Sequence, residues 1–98
     1  MKDYECHITV EASYSSGQRK FLEEIGEANG WKTSFIEGDP DLGKGSRFFF
    51  TAHYNNLDAA FEHTEALDWG LRMQGLVVAR KKIEEVLMDT KADTWRAK

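Results

Sequence analysis

WKTSFIEGDPDLGKGSRFFFTAHY, residues 31–54, reads as two strands joined by a loop. Its first third, residues 31–38, is rich in aromatic and β-branched residues and closes on Gly38, the pattern of a strand. Its last third, residues 47–54, alternates. Phe48, Phe50, Ala52 and Tyr54 share one phase, and Arg47, Phe49, Thr51 and His53 share the other. Between them GDPDLGKGS, residues 38–46, holds a proline and three glycines, the composition of a hairpin loop. Two strands joined by a hairpin run antiparallel, because a parallel pair needs a long crossover.

Upstream, SYSSGQRKFLEEIGEANG (13–30) reads as an amphipathic helix. Ser15 and Gln18 have capping-box spacing, Phe21, Leu22, Ile25 and Ala28 recur at helical intervals, and Gly30 stops the run. Before it, YECHITVEA (4–12) places Tyr4, Cys6, Ile8, Val10 and Ala12 on one face, and Glu5, His7, Thr9 and Glu11 on the other. Downstream, residues 55–75 begin with an asparagine cap and end at Gly75. Ala60, Thr64, Leu67 and Leu71 form the buried stripe of this second helix, with Phe61 beside it. LVVARKKI (76–83) is a fourth strand, after which Ile83, Val86 and Leu87 predict a short helical turn and a fraying end. The order β-α-β-β-α-β predicts an α+β, ferredoxin-like sandwich: an antiparallel sheet in the order 4-1-3-2, with both helices on one face and the other face open. One domain is expected over residues 1–90, with a C-terminal tail over 91–98.

The chain has 98 residues, 41% hydrophobic and 31% charged, which excludes a disordered polymer. A net charge of −4 argues against nucleic acid and anionic membranes as partners. A single cysteine in the apolar phase of a strand reads as a buried, reduced thiol, and with no membrane-length apolar run or signal peptide visible the expected location is cytoplasmic. No Cys/His set has metal-ligand spacing, so no metal or cofactor is expected. GDPDLGKGS approaches a phosphate-binding loop, but Gly45 stands where Ser or Thr is needed and a strand follows instead of a helix. Trp31 and Trp69 read as core or rim residues, His63 as solvated, and Trp95 as a docking residue for the tail or a partner.

The open face gathers the chemistry. Strand one carries His7-Ile8-Thr9 and strand three carries Thr51-Ala52-His53, the same pair reversed. A register with His7 opposite His53 and Thr9 opposite Thr51 brings two histidines and two hydroxyls together. Arg47, Arg80 and Lys82 supply positive charge for a phosphate-containing ligand, with Lys32 nearby. Phe49, Leu76 and Val78 supply an apolar component for a protein interface.

The His7-x-Thr9 motif resembles that of the two-histidine phosphoesterases, a likeness that implies His7 and His53 as an acid–base pair and phosphate held by hydroxyls. Those enzymes carry two such motifs in a chain about twice this length, whereas here His53 is followed by Tyr54-Asn55. ECHITVE (5–11) and GLVVARKKIE (75–84) together look like a family of small bacterial and phage proteins of unassigned function. Its His-x-Thr first strand and Arg-x-Lys-Ile-Glu last strand match His7, Thr9, Arg80, Lys82, Ile83 and Glu84. Three functional readings follow. The leading one is a module that self-associates or binds a protein partner through the open face, for example a phage inhibitor of a host defence. The others are a phosphodiesterase using His7 and His53, and a sponge for a small nucleotide or phosphate ester.

Overall fold

The computed structural model describes residues 2–12, 16–38, 41 and 45–86. Its elements run β1 (Asp3–Ala12), α1 (Ser16–Asn29), β2 (Lys32–Ile36), β3 (Ser46–Tyr54), α2 (Leu57–Met73) and β4 (Val77–Val86). The strands form one antiparallel sheet in the order β2-β3-β1-β4, the expected ferredoxin-like arrangement. Both helices cover the same face, α1 over β2 and β3, α2 over β4 and β1. The core lies between these layers. Cys6, Ile8 and Val10 of β1 and Phe48 and Phe50 of β3 point into it and meet Leu22 of α1 and Ala60, Leu67 and Leu71 of α2. Each large apolar side chain so buried contributes about 1.5–3 kcal/mol over leaving it in water. Among the described residues no helix is long and apolar enough to cross a membrane.

Local chemistry sets the helix ends. Asn56 is extended and its side chain accepts from the Ala59 N–H at 3.0 Å, which caps α2 as its sequence predicts. Both helices end in the same motif. Gly30 and Gly75 have φ of 78° and 81°, and the N–H groups of Trp31 and Leu76 reach back to the carbonyls of Gly26 and Leu71 at 2.8 and 3.1 Å. These stops turn the chain straight into the edge strands β2 and β4.

Four details depart from the expected layout. First, β1 and β3 pair two residues away from the predicted register: Glu5 faces His53, His7 faces Thr51 and Thr9 faces Phe49. A two-residue slide leaves every side chain on its own face, so alternation alone does not fix the pairing. Second, β4 carries a bulge. Thr9 pairs with Arg80 but Val10 pairs with Val78, so Ala79 is the extra residue. The bulge reverses the phase, and Leu76 and Val78, expected on the open face, pack against the core. Val77 is the exposed one.

Third, residues 84–86 continue β4 where a helical turn was expected, because the long β1 offers partners to the end: Glu84 faces Glu5 and Val86 faces Asp3. Fourth, α1 turns Leu22, Ile25 and Gly26 inward and leaves Phe21 and Ala28 outside. On α2, Phe61 and Trp69 are exposed, while Trp31 is buried as expected. The Ser15 cap, Trp95, the 91–98 tail and most of the loop between β2 and β3 lie outside the described residues.

Candidate functional site on the open sheet face

The odd-numbered residues of β1 line the face opposite the helices: Asp3, Glu5, His7, Thr9 and Glu11. Register then places their neighbours. Thr51 and Lys82 flank His7, Phe49 and Arg80 flank Thr9, Arg47 and Val77 flank Glu11, and His53 and Glu84 flank Glu5. From β2, Lys32 lies beside Thr51 and Ile36 beside Arg47. The open face thus unites seven predicted site residues, His7, Thr9, Arg47, Phe49, Thr51, Arg80 and Lys82, together with His53 at its margin. Leu76 and Val78 are not among them.

The histidines are joined by a carboxylate rather than set against each other. His7 Nε2 lies 3.0 Å from Glu5 Oε1, and His53 Nε2 lies 3.3 Å from Glu5 Oε2. The remaining ring nitrogens also have partners: His7 Nδ1 is 3.3 Å from the Thr51 hydroxyl, and His53 Nδ1 is 2.9 Å from Asp3 Oδ2. A chain Asp3–His53–Glu5–His7–Thr51 therefore crosses β1 and β3. On the β4 side Lys82 Nζ stands 3.4 Å from Glu84 Oε1. One ligand atom each from Glu5, His7 and Glu84 lie within 4.8 Å of one another. The sequence reading expected no metal-ligating set. Glu84 enters the sequence analysis only as a position matching the resembled family, because the fourth strand is expected to end at Ile83, and nothing in the sequence pairs Asp3 with His53; cross-strand register brings both in.

Charge on this face is segregated. Asp3, Glu5 and Glu84 occupy one end, while Lys32, Lys82, Arg80 and Arg47 occupy the middle and the other end, with Glu84 beside Lys82 at the boundary and Glu11 beside Arg47 at the far end. Phe49, half-buried, and the exposed Ile36 and Val77 add apolar surface at the basic end.

Other titratable groups serve the helix side. Lys81 points away from the open face and donates to Glu65 at 2.6 Å and Asp68 at 2.7 Å. Cys6 is a free, fully buried thiol, and burial pushes its pKa above the ordinary value. His63 is exposed but stacks on Tyr54, with centroids 4.7 Å apart and planes within 2°. No family model matches the chain, and no curated protein matches it.

Proposed function

We propose that the protein is a non-enzymatic binding module whose working surface is the open sheet face and whose occupant is a second copy of the chain. The observation that carries this reading is the charge segregation along the strands. A two-fold axis lying across the strands, in the plane between two facing sheets, lays the acidic end of each copy on the basic end of the other. In that geometry β4 lies over β4 and Arg80 of each copy comes to Glu84 of its mate, while Lys82 and His7 meet their own copies at the axis, where the neighbouring Glu84 and Glu5 carboxylates offset the like charge. Phe49, Ile36 and Val77 give the contact an apolar component, and the charges around them set its register. The buried, reduced Cys6 suits a cytoplasmic setting.

The acid–base reading of His7 and His53 draws less support. A general base needs a ring nitrogen within reach of a substrate proton, and here all four ring nitrogens face protein groups.

Sedimentation velocity in the presence of a chelator tests the pairing. The wild type is expected to self-associate at concentrations up to about 0.1 mM, an affinity of at least roughly 5.5 kcal/mol. Arg80→Glu and Glu84→Arg each place like charges together and should weaken association about tenfold or more, while the double variant restores it. A wild type that stays monomeric, or a double variant no better than the singles, contradicts the reading.

A further inference from the structure

We infer that Glu5, His7 and Glu84 form a divalent transition-metal site of the borderline class that accepts imidazole and carboxylate together, with Zn²⁺ as the representative ion. The site does not depend on the chain pairing with itself. The placement is topological before it is a matter of rotamers. Glu5 and His7 are two apart on β1 and share a face, and Glu84 is the direct cross-strand neighbour of Glu5. Their ligand atoms lie within 4.8 Å of one another. A tetrahedral zinc at about 2.0–2.2 Å from its ligands needs them roughly 3.3 Å apart. Side-chain rotation closes that gap, since Glu5 and His7 are about one-third exposed and Glu84 is half exposed.

The partners of the three ligands fit the assignment. His7 points Nε2 at the cluster, and its Nδ1 meets the Thr51 hydroxyl at 3.3 Å. A hydroxyl donates or accepts, so Thr51 serves the ring both before metal binding and after it, when Nε2 gives its lone pair to the metal and Nδ1–H donates to Thr51. The second oxygen of Glu5 is held by His53, which Asp3 anchors in turn, and among the described residues Lys82 sits on one oxygen of Glu84 and leaves the other open. Each ligating group thus keeps an outer contact that orients it while one donor atom remains for the ion. Two carboxylates and one imidazole suit zinc, iron(II), nickel or manganese better than the all-oxygen shell that calcium takes. Three protein ligands on an open face leave at least one position to water, the pattern of a reactive or exchangeable site rather than a closed structural one.

Calorimetric titration of the chelator-stripped full chain with Zn²⁺ tests the site, with Co²⁺ visible absorption reporting coordination geometry and circular dichroism confirming that each variant is folded. One ion per chain is expected, with a Co²⁺ spectrum of low coordination number and little response to Mg²⁺. His7→Ala and Glu84→Gln should each weaken binding at least tenfold, Thr51→Val should weaken it several-fold, and His63→Ala, on the far side of the sheet, should leave it unchanged. Absence of binding in the wild type overturns the assignment. So does binding that survives both His7→Ala and Glu84→Gln, or that is lost with His63→Ala.

Discussion

Asp68 is a charged side chain only 6% exposed, on the flank of α2 that meets β4. Burial alone would raise its pKa, but hydrogen bonds from Lys81 Nζ and Arg72 Nε, each 2.7 Å long, and the charges behind them hold it below its ordinary value of 3.8. Its hydrogen bonds to Asp68 and Glu65 in turn raise Lys81 above its ordinary 10.5. A lowered carboxyl pKa stabilises the fold fully above 3.8 and loses that contribution as pH falls through the folded value. A raised lysine pKa stabilises fully below 10.5 and loses it as pH rises through the folded value. Asp68→Asn should therefore cost about 1–2 kcal/mol at neutral pH in urea unfolding, the size of a charge-assisted bond whose lysine end is partly solvated, and the gap from the wild type should narrow below about pH 4. At Cys6, burial and a raised pKa predict that a thiol reagent labels the native protein only through opening of the fold. Labelling should track global stability, and rapid stoichiometric labelling under native conditions would show that Cys6 is not in the core.

Among the elements, α1 approaches the sheet closely at Gly26. A Cβ there would collide with Thr33 Cγ2 and press on the Trp31 carbonyl at 3.1 Å. Gly26→Ala improves helix propensity by about 1 kcal/mol yet should destabilise the protein by roughly 1–2 kcal/mol net, because the clash outweighs the gain. Thr33→Ser removes the Cγ2 methyl and should recover much of that loss in a double-mutant cycle, read by thermal or urea unfolding. The elements were legible in the sequence where one physical signal acted alone. Alternation in β1 and β3 fixed their faces, and Asn56, Gly30 and Gly75 fixed helix ends. Signals that depend on two elements at once were not legible. The pairing of Glu5 with His53 is set by how the strands slide, the bulge at Ala79 reverses the phase of Leu76 and Val78, and Glu84 becomes part of the site only because β1 is long enough to pair with it. The candidate site was thus legible as a set of residues on one face and not as a set of contacts.

At the scale of the whole molecule the two sides of the sheet have different tasks. The helix side is filled by apolar packing and tied by Lys81 to α2, whereas the open side carries a dipolar arrangement of charge with its hydrogen-bonded histidines. The proposed pairing of two copies and the proposed metal site share Glu84, so Zn²⁺ should raise the dimer dissociation constant in sedimentation, by linkage. The competing surface is the exposed pair Trp69 and Met73 on α2. A dilution series of two-dimensional amide NMR spectra, recorded with chelator present, separates the two most directly. Pairing through the open face should make amide shifts change with concentration along β1, β3 and β4, around Glu5, His7, Thr9, Phe49, Thr51 and Arg80, while α2 around Trp69 stays still. Shifts confined to α2, or spectra unchanged by concentration, would contradict it.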